Sequence, residues 1–364
     1  MILFKKISRK ILLSMVKIFS LEKKVATFNK LVNPKVNNSK TKISIVGNFT
    51  DSNGRRHNLI KGLRDKIKPG WEQNLKEKDY SGIPSKDEIL LQIEFGKNQI
   101  KELERLMAIH SIYITPKMDI LEIGAAGGAV TYQIASKNPK SILGSDYFKY
   151  QANQSVSFKN ANRILELESQ HLVRLRNKIG NFFDDDILNK VSFIDDDICN
   201  SKINSESKDL ILSWETLEHL QNPKNAFQEM YRILKPGGFA FHQYNPFFSF
   251  NGGHSLCTLD FMWGHVRLSA ADFEKYLIQY RPEEHKLAMN FYKENLNRMT
   301  LNKLKIYIKK SGFKQIMLFP HTYFENYFEL TEMIYRDCKK NYPTIEVVDL
   351  VSPAFYIGLK KPNS

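Results

Sequence analysis

Cysteine is scarce in this chain, and the three present, Cys199, Cys257 and Cys338, stand far apart with no C-x-x-C pair. That spacing excludes a zinc knuckle or a dithiol redox motif, and an odd, low count fits a reducing compartment better than a disulfide scaffold. Long apolar runs are missing too. In the N-terminal segment the longest charge-free stretch, ILLSMV at 11–16, is six residues. That is short for a signal-peptide core and far below the roughly 20 residues of a membrane-spanning helix. The expectation is a cytoplasmic protein. Basic charge is missing from the body of the chain, although the net charge is +15: residues 1–42 hold eleven Lys or Arg against one acid, Glu22, whereas residues 119–364 hold 30 bases and 28 acids. A body that grips nucleic acid would carry the excess itself, so nucleic acid is not an expected partner.

What is present, 364 residues at 42% hydrophobic and 26% charged, can bury a real core in two domains or in one domain with appendages. Written as a helix, the N-terminus puts Leu3, Phe4, Ile7, Ile11, Met15 and Ile18 on one face and Lys5, Lys6, Arg9, Lys10 and Lys17 on the other. Residues 1–24 could thus lie on an anionic membrane surface, at about 1 kcal/mol per basic residue near it. Such a seat would be peripheral, at the inner face of a membrane. Packing on the protein's own body is the plainer reading. NPKVNNSKTK (33–42) reads as a linker, which makes 1–42 an appendage. ISIVGNF (43–49) reads as a strand, and 50–85 has no clear periodicity. Residues 85–110 read as a helix with Ser85 and Glu88 as a capping box and Leu90, Ile93, Ile100, Leu103 and Leu106 as its apolar stripe. Residues 43–117 then form an N-terminal extension.

From 118 to 364, strand-like segments at 119–123, 141–145, 191–194, 209–213, 239–243, 314–319 and 354–359 alternate with helical patterns. The alternation predicts an α/β domain: an open, mostly parallel seven-stranded sheet with helices on both faces. Excursions fall at 147–190, 245–298 and 320–350.

The first of these strands runs into a glycine-rich turn, Glu122-Ile-Gly124-Ala125-Ala126-Gly127-Gly128. The dinucleotide pattern G-x-G-x-x-G fails, because Ala126 and Ala129 occupy its second and third glycine positions; a phosphate-binding P-loop fails for want of a lysine. An acid ahead of the turn suits a ligand with a cation at that end. Asp146, ending the second strand, can accept from two ribose hydroxyls, with Tyr147 packing on the base. Asp197, past the third strand, can accept from an adenine amine, with the Ile198 amide facing the ring. Asp184–Asp186 and Asp195–Asp196 read as solvated. An adenosine with a cationic tail and no phosphate clamp describes S-adenosylmethionine.

At this point the chain resembles the class I methyltransferases that use S-adenosylmethionine. DILEIGAAGG, GSDY, VSFIDDDI, DLILSWETLEHLQNPKNAFQEMYRILKPGG and the later SGF match that family in order and spacing over roughly 88–319. The resemblance implies a Rossmann-like sheet. It implies that Glu122, Gly124 and Gly128 line the methionine end, that Asp146 holds the ribose, and that Asp197 and Ile198 hold the adenine; Ala125 is a further expected cofactor contact. Ser213 and Trp214 would face the methyl donor. Ala126 stands where the family commonly has glycine.

A general base is needed mainly for a hydroxyl acceptor. His219, Glu215 and Glu218 in WETLEHL are the candidates, His219 first by its ordinary pKa, with Glu215 and His219 sharing a face if the segment is helical. The plainer reading is that Glu218 and His219 fix the loop. E-x-x-E-H with a distant histidine (His242, His254 or His265) also resembles the metal site of methyltransferases acting on the terminal 2′-hydroxyl of small RNAs; no metal ligand is assigned. YNPFFSF at 244–250 follows the fifth strand rather than the fourth, so it is not the N-P-P-Y motif of amino-group methyltransferases. The insertion at 245–298 reads as the acceptor side, with His265, Arg267, His242 and Tyr244 as substrate contacts and Ser269 capping a helix from Ala270. The expected function is methyl transfer to a hydroxyl of a small-molecule or glycan acceptor. The alternatives are a metal-dependent RNA 2′-O-methyltransferase and a non-catalytic scaffold that binds the cofactor.

Overall fold

The computed structural model describes residues 44–72, 84–152, 161–322 and 329–363. The basic segment 1–24 and the linker 33–42 lie outside them. Nine strands are described: β1 (Ile45–Thr50), β2 (Arg56–Ile60), β3 (Asp119–Ile123), β4 (Ser141–Asp146), β5 (Val191–Asp195), β6 (Lys208–Trp214), β7 (Leu234–Tyr244), β8 (Lys314–His321) and β9 (Ala354–Lys360). β1 and β2 form a two-stranded sheet; the other seven form one sheet in the order β5-β4-β3-β6-β7-β9-β8. β3 pairs in parallel with β4 and β6, and β4–β5 and β6–β7 are also parallel, while β9 runs antiparallel to β7 and β8. The central strands are apolar runs because both sheet faces are covered: Ile120, Leu121, Leu210, Ile211 and Leu212 are all buried. Strand order reverses between β3 and β6, the switch point where such sheets bind ligands at their carboxyl ends.

The helix expected at 85–110 runs over Lys86–Ala108. Its buried stripe is Ile89, Ile93, Gly96, Ile100, Leu103 and Met107, while Leu90 is 43% exposed. The face is therefore rotated from the expected one, and the reason is Gly96. A Cβ there would sit 2.8 Å from the Ala129 carbonyl oxygen, so the absence of a side chain lets this helix approach the short helix Ala129–Ala135 that follows the glycine-rich turn. Ser269 caps Ala270–Tyr280 by accepting from the Asp272 amide. Among the described residues no helix is long and apolar enough to cross a membrane.

Residues Gly47–Ser364 make one compact unit that takes in the helix Lys86–Ala108 together with the large sheet. A second core sits apart from the sheet. Phe49 and Leu59 of the hairpin, Phe247, Phe248, Trp263, Phe273 and Tyr276 of the insertion, and Ile334, Cys338 and Leu350 near the C-terminus pack together. Polar ties fix this cap. Arg64 donates to Glu284 at 2.7 and 2.9 Å and to the Ser255 carbonyl, and Asp272 accepts from the Ser52 amide and hydroxyl at 2.8 Å. Segments with no visible relation in sequence thus build one layer.

Gly96→Ala gains helix propensity of about 1 kcal/mol but meets fixed backbone, and overpacking costs about 1–3 kcal/mol. The expected net effect is a destabilisation, read as a lowered urea midpoint with an unchanged slope.

Candidate active site

A cavity of about 390 Å³ opens at the carboxyl ends of the sheet, within the roughly 300–1,000 Å³ of small-molecule sites. Gly124, Asp146, Tyr147, Asp197, Ile198, Trp214, Glu215 and His219 line it, together with Ala126, Tyr150 and Thr216. Gly124 has φ 78, and a Cβ on it would meet the Thr216 hydroxyl at 2.3 Å. Thr216 in turn donates to the Ile123 and Trp214 carbonyls, so the turn after β3 and the loop after β6 are locked edge to edge. Ala126 holds φ 44 without being glycine, a left-handed conformation costing an L-residue about 1–2 kcal/mol.

Several residues expected in the site stand elsewhere. Glu122 lies beneath the turn, not in the cavity lining. It is 3% exposed and its carboxylate accepts from the Thr131 hydroxyl. Burial pushes its pKa up to about 8, against the Thr131 hydrogen bond. Ala125 is buried, its amide spent on the Ser145 carbonyl. Gly128 precedes the helix Ala129–Ala135 at φ 79, where a Cβ would sit 2.6 Å from Phe193. Ser213 is buried and its hydroxyl bonds His242 Nδ1 at 2.7 Å, so neither faces the cavity. The Tyr244 hydroxyl donates to the Met299 carbonyl. His265 Nε2 bonds the Phe247 carbonyl, and Arg267 is paired to Asp337 inside the cap. Asp196, expected to be solvated, is 5% exposed and accepts from Ser201 and the Lys202 amide. For Ser213, Tyr244, His265 and Arg267 the reason is a partner distant in sequence.

At the adenosine side, Asp197 accepts from the Cys199 amide at 2.9 Å. Burial raises Asp146 to about 6, opposed by Arg176, whose guanidinium bonds its carboxylate. Nothing local to LVRLRNK marks Arg176, because its partners lie 30 and 50 residues away.

At the other end, the segment after β6 is not an α-helix. Glu215 has φ 48 and a single 3₁₀ turn covers Leu217–His219, yet Glu215 and His219 both reach the cavity. His219 Nδ1 lies 2.7 Å from the Asn295 carbonyl. A carbonyl only accepts, so Nδ1 carries the proton and Nε2 keeps its lone pair. Burial holds this imidazole down at about 4, against that hydrogen bond. Glu218 is fully buried; its Oε1 has no partner, and neither has His254 Nε2. Ligating atoms of Glu218, His219 and His254 lie within 4.8 Å of one another. Of the three histidines that could complete E-x-x-E-H, the structure brings up His254, from the insertion, at φ 52. Lys68, in the segment left unplaced by sequence, is held down by burial while Glu215 and Glu218 push it back up.

Glu122 supplies a pH test. Below its ordinary pKa of 4.5 both folded and unfolded states carry the proton; above it the unfolded chain ionises while the folded one stays neutral to about pH 8. Stability is therefore lost as pH rises through that window. Glu122→Gln keeps an acceptor for Thr131 and should flatten the fall, measured by denaturant midpoints at a series of pH values.

Comparison with known proteins assigns a family. The family model of a methyltransferase domain matches residues 95–316, more than half of the chain. The mitochondrial ubiquinone biosynthesis O-methyltransferase of Dictyostelium discoideum is 22% identical over 126 residues, 34% of this chain and 34% of that protein. The alignment thus spans about a third of that relative's length. Among solved structures, a putative methyltransferase of Bacillus halodurans aligns with TM-score 0.38 and 16% identity, covering 72% of this chain and 99% of that one. A Haemonchus contortus phosphoethanolamine N-methyltransferase 2, solved with phosphomonomethylethanolamine and S-adenosylhomocysteine, aligns with TM-score 0.43 and 16% identity, covering 73% of this chain and 52% of that one. The chain belongs to the methyltransferase-domain family, and its methyl donor is S-adenosylmethionine.

Proposed function

We propose that the protein transfers a methyl group to a hydroxyl oxygen of a small-molecule or glycan acceptor, seated between the loop after β6 and the cap. The observation that carries this reading is His219: neutral, tautomer fixed by the Asn295 carbonyl, with its free Nε2 at the cavity. The O-methyltransferase activity named for the Dictyostelium relative points the same way.

S-adenosylmethionine supplies an activated methyl on a sulfonium. Asp146 and Asp197 orient the adenosine, and Gly124 allows close approach of the turn. Trp214 and Tyr150 wall the far end and exclude water. As the acceptor oxygen bonds the methyl carbon and the sulfur–carbon bond breaks, the hydroxyl proton passes to His219 Nε2 and on to solvent. Positioning carries much of the barrier reduction.

A second reading is favoured by one observation, the two orphaned buried atoms on Glu218 and His254 beside His219 Nε2. A mixed carboxylate and imidazole set fits Mg²⁺, Mn²⁺ or a similar ion. A ligand imidazole must be neutral, and His219 is a weak base at about 4. Glu218, His219 and His254 would hold such an ion, which would polarise the acceptor hydroxyl.

His219→Asn should lower kcat by about 10²–10⁴-fold with cofactor affinity unchanged; full activity would sink the proposal. Chelator treatment separates the two readings. Activity lost to chelator and restored by Mn²⁺, with Mn²⁺ binding abolished in Glu218→Gln, supports the metal; indifference to chelator leaves His219 as base.

The basic segment 1–24 supports a further proposal, that the protein works in the cytoplasm and docks on an anionic membrane face. Reversing Lys5, Lys6, Arg9 and Lys10 to Glu in the full chain should abolish flotation with phosphatidylserine vesicles and leave turnover of a soluble acceptor intact. Unchanged flotation would refute the docking.

A further inference from the structure

Arg176 is one of the few arginines buried in the body of the protein, at 4% exposure, and it sits against the donor site from outside every motif. It lies on the helix Ala161–Gly180. Its Nη2 bonds Asp146 Oδ2, and its Nε donates to the Ala126 carbonyl at 2.9 Å. Its guanidinium carbon is 4.2 Å from the centre of the Phe193 ring, the same ring that fills the space a side chain on Gly128 or Gly144 would need. The side chain is fixed on three sides, so the fork has one available geometry.

We propose that Arg176 is a positioning residue of the methyl-donor site, pinning the left-handed Ala126 of the turn and the ribose-binding carboxylate of Asp146 with a single guanidinium. Two physical consequences follow. A carboxylate as buried as Asp146 accepts from two ribose hydroxyls only while it is ionised, and a desolvated acid stays ionised only beside a cation. And Ala126 lacks the freedom of the glycine common at its position, so its strained conformation persists only where neighbours hold it; the Arg176 Nε supplies that hold. One fork thereby couples the charge state of the ribose site to the shape of the turn.

The groups that set this charge state are few. Around Asp146 they are Arg176, Asp195 on β5 and Glu122 on β3, and Tyr132 also faces Arg176. Burial drives Asp146 upward to about 6 while Arg176 pulls it down. Removing the cation removes the downward pull, so the carboxyl becomes protonated at a higher pH than in the wild type.

The test titrates S-adenosylhomocysteine calorimetrically into the full-length wild type, Arg176→Met, Arg176→Lys and Asp146→Asn from pH 5.5 to 9. The ligand's own ionisation cancels between variants. Wild-type affinity should rise through about pH 6 and then level. Arg176→Met should move that midpoint up by about two pH units, adding a further tenfold loss at pH 7 that recovers by pH 9 to the severalfold deficit left by the unpinned turn. Arg176→Lys should keep the midpoint and still lose severalfold affinity, because an ammonium cannot span both partners, and adding Ala126→Gly should return part of that loss. Asp146→Asn should show no midpoint. A loss in Arg176→Met that is equal at every pH would overturn the proposal in favour of a merely structural arginine. Tighter binding in Arg176→Met would also overturn it, by making Arg176 an occupant of the ribose position. If Arg176→Met fails to fold by thermal melting, Arg176→Lys with and without Ala126→Gly decides: no affinity loss, or no return with glycine, overturns the clamp.

Discussion

Three of the acids buried at the carboxyl end of this sheet, Glu122, Asp146 and Glu218, show how the site meets the cost of burying charge. A carboxylate out of water must be neutralised, paired or supplied with donors. The three meet that demand differently. Glu122 takes a proton and a hydroxyl partner and becomes a strut under the turn. Asp146 is paired with a cation delivered by a helix and stays available to the cavity. Glu218 is left with one oxygen unpartnered, beside two imidazoles. The first supports the backbone, the second lines the cavity, and the third is a carboxyl that burial holds well above its usual pKa.

Backbone strain follows the same map. Ala126 and Glu215 hold positive φ and line the cavity, and His254, also at positive φ, stands beside His219. Such conformations persist only where the surroundings over-determine them. The surroundings here are the lock between Gly124 and Thr216, the Asn297 side chain that donates to the Leu217 and Leu220 carbonyls, and the cap that carries His254. The insertion therefore does more than cover the pocket. Its segment 291–297 holds the loop after β6, and its His254 completes the cluster of ligating atoms.

The local signals in the chain translated well. Apolar runs with turn residues at their ends placed the seven strands of the large sheet within a few residues. The spelling of the glycine-rich turn excluded phosphate binding, and acids at strand ends pointed to Asp146 and Asp197, which the cavity brings together. The readings that moved were those that depended on which way a side chain turns. Ser213 and His242 alternate onto the wrong face for the cavity, where the Ser213 hydroxyl bonds His242 Nδ1. His265 and Arg267 look like a substrate pair because polar residues in an aromatic insertion stand out, but the insertion has a core of its own that consumes them.

By itself, then, the sequence determined the order of strands and helices and the donor class, because period, turn spelling and acids at strand ends are properties of neighbours along the chain. Tertiary structure alone decided that Arg176 backs Asp146, that Arg64 and the hairpin join the insertion in one cap, and that His254 rather than His242 or His265 meets Glu218 and His219. Those choices depend on charges and lone pairs meeting across dozens to hundreds of residues, where no local pattern records which buried group will need which partner.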